Sequence, residues 1–242
     1  MQAVGRGRAA PSGGRITTVG EVMGMKNGAI PDSVIRRMGR YMRAVERLED
    51  KGVTVIASRD LGKLLDYTPS QVRQDLNYFG KYGLQGFGYA VGLLHDDLIH
   101  ILGADRGIPA AVVGTGNIGS YLLERGVLQK CGFHVKSAFD LSPQFTGREI
   151  GGVAVRDIAL LPDFVRETPI LYAALCVPPS AAQATADALI CCGVRAIWNI
   201  TGRDLVLPRT VLTESAHLED SLLSIGYRLG QGKAETELAS GE

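Results

Sequence analysis

The sequence predicts an α/β chain in two parts: an N-terminal winged helix-turn-helix domain, then a doubly wound parallel sheet. Three observations predict it. An apolar run, Ala110 to Val113, leads into Gly114-Thr115-Gly116-Asn117-Ile118-Gly119, with a helical run from Ser120 to Leu128 behind it. Extended and helical stretches then alternate as far as Thr201, the pattern of a parallel sheet wound by helices. Upstream, two short helical stretches flank a tight turn, and the second of them is polar and basic.

Composition sets outer bounds. The 242 residues carry a net charge of +1, are 45% hydrophobic, and suffice for one large domain or two ordinary ones. No apolar run approaches the roughly 20 residues of a membrane helix, and no apolar h-region follows the N-terminal arginines. Cys131, Cys176, Cys191 and Cys192 show no CxxC spacing and read as reduced core residues of a cytoplasmic protein. The four His lack metal-ligand spacing, so no metal is expected. The charge is uneven: residues 1–95 are net +6 and residues 96–242 net −5. That asymmetry suits a basic module meeting a polyanion beside a neutral or acidic one, although the basic residues of the N-terminal tail contribute to it.

Residues 1–29 are Gly-, Arg-, Ala- and Ser-rich, lack periodicity and read as a flexible extension. Pro31-Asp32 starts a helix whose apolar stripe is Val34, Ile35, Met38, Met42, Val45 and Leu48, and Gly52 ends it. Ser58 is expected to cap a second helix to about Leu65. Thr68-Pro69-Ser70-Gln71 then reads as an N-cap, Pro at N1 and a capping box opening a third helix, Pro69 to about Phe79. Val72, Leu76 and Phe79 share its apolar face. Ser70, Gln71, Arg73, Gln74, Asn77 and Tyr78 on this helix, with Lys81, Gln85 and Gly86 in the Gly- and aromatic-rich segment beyond it, are the candidate DNA contacts. Arg can pair with guanine and Gln or Asn with adenine in a major groove. A three-helix dimerisation bundle with solvated arginines is the alternative. Val91 to Leu102 is expected to connect this module to the sheet.

In the sheet, Gly114, Gly116 and Gly119 have the spacing of a dinucleotide fingerprint. The first allows a sharp turn, the second close approach of a pyrophosphate, and the third close packing of helix on strand. The helix N-terminus offers free N–H groups to phosphate. Phe133 to Phe139 reads as the second strand and ends in Asp140, 21 residues after Gly119. An acid there accepts from the adenine ribose hydroxyls and disfavours a 2′-phosphate, so NAD is expected over NADP. Val177, Pro178, Asn199 and Thr201 fall at later strand ends, where ligands bind or where a residue serves only a turn. The cofactor set is therefore Gly114, Thr115, Gly116, Asn117, Ile118, Gly119, Asp140, Val177, Pro178, Asn199 and Thr201. His217 to Leu229 is amphipathic and needs a surface to bury against.

A run of residues in matching order carries a family resemblance. Pro31-Asp32-Ser33-Val34, Gln71-Val72-Arg73-Gln74-Asp75-Leu76-Asn77-Tyr78-Phe79-Gly80 and Gly86-Phe87-Gly88-Tyr89 lie in the first part. The glycine turn, Ala138-Phe139-Asp140, Gly147-Arg148-Glu149-Ile150-Gly151-Gly152, Val177-Pro178 and Trp198-Asn199-Ile200-Thr201 lie in the second. Together these resemble Rex, the bacterial redox-sensing transcriptional repressors. The resemblance implies a winged helix at 30–92, a Rossmann domain at 93–213, a C-terminal dimerisation helix at 214–230 exchanged between the subunits of a homodimer, and a tail at 231–242. It also implies binding to a palindromic duplex operator when NADH is scarce, and release by NADH. Three departures stand out. Leu84-Gln85 replaces Lys-Arg in the wing, and Gln74 replaces Lys on the recognition helix. Arg125 and His217 replace the Tyr and Asp that relay the nucleotide state to an arginine, assigned here to Arg37. Which of NADH and NAD+ is effective stays open.

An NAD-dependent oxidoreductase with an N-terminal interaction module is the alternative. It needs a general acid or base near the nicotinamide, and there is no Tyr-x-x-x-Lys and no suitably placed His-Asp pair. A coenzyme A-binding domain is a third, against which Asp140 and the winged helix argue. The expectation is a regulator, not an enzyme.

Overall fold

The computed structural model describes residues 30–80 and 88–230. Expectations for 1–29, for 231–242, and for Lys81, Gln85 and Gly86 lie outside them. The chain divides into two compact units after Leu102.

In the first unit, α1 (Asp32–Asp50) follows Pro31, whose carbonyl accepts from the amides of Val34 and Ile35. Its apolar stripe buries Val34, Met38, Tyr41 and Val45. The strand β1 (Val55–Ile56) leads to α2 (Ser58–Leu65) and α3 (Pro69–Asn77). Ser58 lies inside α2 and Ala57 occupies the N-cap with no side-chain bond, so the expected Ser58 cap is corrected. Thr68 does cap α3, accepting from the Gln71 amide at 3.2 Å. Between the helices Asp66 is left-handed (φ 58°), and a Cβ on Gly62 would meet the carbonyl of Tyr67, so the tight turn requires glycine there. The strand β2 (Tyr89–Ala90) pairs antiparallel with β1, and α4 (Val91–Leu102) follows. Leu94, Leu98 and Ile101 of α4 share one core with Met38, Val45, Leu61, Val72 and Leu76. The expected connector is therefore part of the first unit, and the boundary moves from 92/93 to 102/103.

The second unit is a seven-stranded sheet. Its strands are β3 (Ile108–Val113), β4 (Phe133–Asp140), β5 (Glu149–Ile150), β6 (Val153–Asp157), β7 (Tyr172–Leu175), β8 (Ala196–Asn199) and β9 (Leu212–Ser215). They lie in the order β5-β6-β4-β3-β7-β8-β9, all parallel except β5 against β6. Without the β5 hairpin, the six parallel strands run 3-2-1-4-5-6, the doubly wound dinucleotide order, whose switch point lies between β3 and β7. Strand alternation is plain in β3. Ala110 and Val112 enter one core with Leu122, Leu123 and Ala138, and Ala111 and Val113 enter the other with Phe139, Leu175 and Leu189.

The helix after the turn breaks earlier than expected. α5 (Asn117–Glu124) stops at Arg125, Gly126 is left-handed (φ 59°), and α6 (Val127–Lys130) restarts. Two 3₁₀ turns introduce α7 (Leu161–Glu167) and α8 (Ala182–Cys191), and α8 has no Ser180 cap. Leu212–Ser215, partly assigned to the C-terminal helix, is the edge strand β9, so α9 is Leu218–Gly230. Cys131 and Cys191 are exposed, not core residues. Among the described residues no helix is long and apolar enough to cross a membrane, and no group of three His, Cys, Asp or Glu gathers as for a metal.

Candidate nucleotide site and nucleic-acid interface

The glycine turn lies at the carboxyl end of β3, at the switch point. Gly114 has φ 92°, and a Cβ there would come within 2.7 Å of Cys176 and Val177 backbone at the end of β7. A Cβ on Gly119 would strike the Gly114 carbonyl, while Gly116 faces open space. Backbone contacts thus require glycine at the first and third positions, while the second is unhindered. Asn117 and Ile118 are exposed in the first turn of α5, whose N-cap is Gly116.

Thr115 and Asp140 differ from a simple ligand-facing picture. Thr115 is wholly buried; its amide and Oγ1 donate to Asp140 Oδ2 at 2.5 and 2.8 Å. The Ser142 amide donates to Asp140 Oδ1 at 2.8 Å, and Asp140 is only 8% exposed. Both carboxylate oxygens thus already hold the chain's own donors. At the other strand ends Val177 is buried and Pro178 exposed. Asn199 is consumed internally. Its Nδ2 donates to the Arg203 carbonyl at 2.7 Å and to Ser215 Oγ at 3.2 Å, and its Oδ1 accepts from the amide and hydroxyl of Thr201 at 3.1 and 2.6 Å. Together they shape the loop after β8. Burial pushes the nearby Cys176 thiol up to about 12.

In the first unit, Ser70, Arg73, Gln74 and Asn77 of α3 and Tyr78 at its C-cap are all exposed. Arg73 is held by two hydroxyls, donating to Ser58 Oγ and Ser70 Oγ at 3.1 Å each. Gln71 turns inward instead and donates to Asp75 Oδ1 at 2.7 Å, so it closes no capping box. Asp75 is the residue the sequence argument passed over. It is wholly buried and also accepts from Arg37 through Nε at 2.6 Å and Nη2 at 2.8 Å, and from the Tyr41 hydroxyl at 3.2 Å. Its signal was an acid three residues after Val72, on the apolar face. Hydrogen bonding to Asp75 raises Arg37 above the usual arginine value, and burial among these charges raises Tyr41. Arg37 therefore binds α3 of its own unit. Of the other two switch candidates, Arg125 is exposed at the end of α5, and His217 Nε2 lies 3.4 Å from Asp204 Oδ1.

Along α9, Leu218 (67% exposed), Leu222 (69%), Ile225 (54%) and Leu229 (61%) repeat every three or four residues with no cover among the described residues. An isolated helix of this length is marginal in water, so α9 requires a partner surface.

Comparison with known proteins finds matches to both units. Residues 29–77 match the family model "Putative DNA-binding protein N-terminus", and 105–202 match "CoA binding domain". The redox-sensing transcriptional repressor Rex of Thermoanaerobacter sp. (strain X514) is 41% identical over 206 residues, 85% of this chain and 92% of that protein. That of Clostridioides difficile (strain 630) is 37% identical over 88% of this chain and all of its own. The crystal structure of RSP in complex with β-NAD+ and operator DNA superposes with a TM-score of 0.78 at 39% identity, covering 89% of this chain and 99% of RSP. RSP in complex with β-NADH gives 0.76 at 37%, covering 88% and 100%. The chain belongs to the Rex family of redox-sensing transcriptional repressors.

Proposed function

We infer that this chain is a homodimeric repressor that binds a palindromic duplex operator in the cytoplasm and alters its operator affinity on binding NAD(H), without catalysing a reaction. One observation carries this: a glycine turn at the switch point of a 3-2-1-4-5-6 sheet shares a chain with a recognition helix whose polar face is exposed. The relatives supply the ligands, since RSP has been crystallised with β-NAD+ and operator DNA, and with β-NADH. Gly114, Gly116, Asn117, Ile118 and Gly119 receive the pyrophosphate on backbone N–H groups. Asp140 supports the adenine ribose side, and Val177, Pro178, Asn199 and Thr201 the nicotinamide side. Ser70, Arg73, Gln74, Asn77 and Tyr78 face DNA, and Lys81, Gln85 and Gly86 add to the same contact. The apolar stripe of α9 supports exchange of that helix between two subunits, which sets the spacing of two recognition helices. Arg125 and His217 couple the nucleotide to that spacing.

Titrating a labelled palindromic operator complex separately with NAD+ and NADH tests this. Binding relieved by one form supports a redox-responsive repressor. Binding indifferent to both, or displaced only by coenzyme A, refutes it.

A further inference from the structure

We propose that Thr115 and Asp140 form a buried clamp fixing the dinucleotide turn, so that Thr115 is a positioning residue for NAD(H) although its side chain is wholly buried. The inference rests on the proposal above that the sheet unit holds NAD(H). A turn built on Gly114 and Gly116 is soft, because glycine reaches more backbone conformations than other residues. A ligand held by backbone N–H groups loses affinity in proportion to the time those groups spend elsewhere. Thr115 stands between the two glycines, and each of its polar groups is tied. The amide and Oγ1 donate to Asp140 Oδ2, and the carbonyl accepts from Ser120 Oγ at 2.6 Å. Asp140 in turn is held by the Ser142 amide at the end of β4, and the Gly114 amide donates to the Phe139 carbonyl at 2.8 Å. The turn is thus fastened at one side to β4 through a buried carboxylate and at the other to the first turn of α5. Asp140 acts on the dinucleotide first through Thr115, and only then through its charge near the ribose.

The test changes Thr115 while leaving the Asp140 charge in place. Thr115→Val removes Oγ1 at nearly constant volume, and Thr115→Ser keeps the hydroxyl. Affinities of the full chain for NADH, ADP-ribose and adenosine are measured by calorimetry, with hydrogen exchange of the Gly114–Gly119 amides. Thr115→Val should weaken NADH and ADP-ribose by roughly tenfold, the scale of one buried hydrogen bond. It should speed exchange in the turn and leave adenosine, which has no pyrophosphate, unchanged. Thr115→Ser should restore NADH binding to within about twofold of the parent. Parental NADH affinity in Thr115→Val overturns the clamp, as does an equal loss of adenosine or no recovery in Thr115→Ser. An unsubstituted chain that binds neither NADH nor NAD+ overturns the NAD(H) proposal itself, a distinct failure.

Discussion

Replacing Arg37 with Met should loosen the recognition helix from within. Asp75 is wholly buried and receives four donor contacts, two from Arg37 and one each from Tyr41 and Gln71. Removing the guanidinium leaves the carboxylate with two neutral donors and no counter-charge. Breaking one side of a buried pair costs about 3–5 kcal/mol. The Arg37 side chain is 24% exposed, so water partly screens the pair and the lower end, about 3 kcal/mol, applies. Hydrogen exchange of the α3 amides in the full chain should then accelerate by about two decades. The lock should not titrate on its arginine side near neutrality. Arg37 is raised above its ordinary value, so its contribution is present below that value and lost only as pH rises through it. A double variant, Arg37→Met with Asp75→Leu, removes both charges and should recover most of the protection. Exchange within threefold of the parent in Arg37→Met, or no recovery in the double variant, would refute the lock.

Arg73→Ala should weaken operator binding by roughly 1–3 kcal/mol, read by gel shift at fixed salt; an undiminished shift argues against α3 as the reading helix. Gly119→Ala drives a Cβ into the Gly114 carbonyl and should abolish NADH binding in calorimetry. Deleting from Leu218 onward removes α9 but spares β9, and sedimentation should then report monomers; persisting dimers would exclude helix exchange as the main contact. Iodoacetamide at pH 8 should modify exposed Cys131 and Cys191 while sparing Cys176, whose thiol stays protonated. Its raised value adds stability below the ordinary thiol range that is lost as pH climbs toward 12, so Cys176→Ala should flatten the start of an alkaline unfolding curve.

What the sequence made legible was local and periodic. The glycine spacing located the turn, the apolar run before it formed β3 buried on both faces, and Thr68-Pro69 opened α3 where capping chemistry placed it. What it hid was tertiary. The four residues of β9 are all exposed and present no apolar alternation; only pairing with β8 makes them a strand. Val91–Leu102 read as a connector because nothing local says that its stripe packs with the core of the first unit. Gln71 looked like a polar residue of a DNA-facing helix, yet it bonds Asp75, which Arg37 and Tyr41, more than thirty positions away, hold inward. Asp140 was legible as the acid after the second strand, but its partner Thr115 was hidden because the fingerprint leaves that position unspecified.

With Arg37 engaged by Asp75, coupling between nucleotide and operator has fewer routes than a relay through Arg37, Arg125 and His217 suggests. The element that joins the dinucleotide turn to Arg125 is α5. Its N-cap is Gly116 in the dinucleotide turn and its C-cap is Arg125, eight helical residues later. At 1.5 Å per residue that is about 12 Å of rigid helix. If a bound nucleotide displaces the turn, the shift reaches Arg125 with no break in the helix between, and the helix ends there, before left-handed Gly126. Linkage makes the coupling reciprocal: if NADH weakens operator binding by some factor, operator DNA weakens NADH by the same factor. We expect Arg125→Ala to shrink both factors together while leaving NADH affinity without DNA unchanged. NADH titrations with and without operator measure the coupling, and a variant whose coupling factor equals the parent's would show that α5 is not the link.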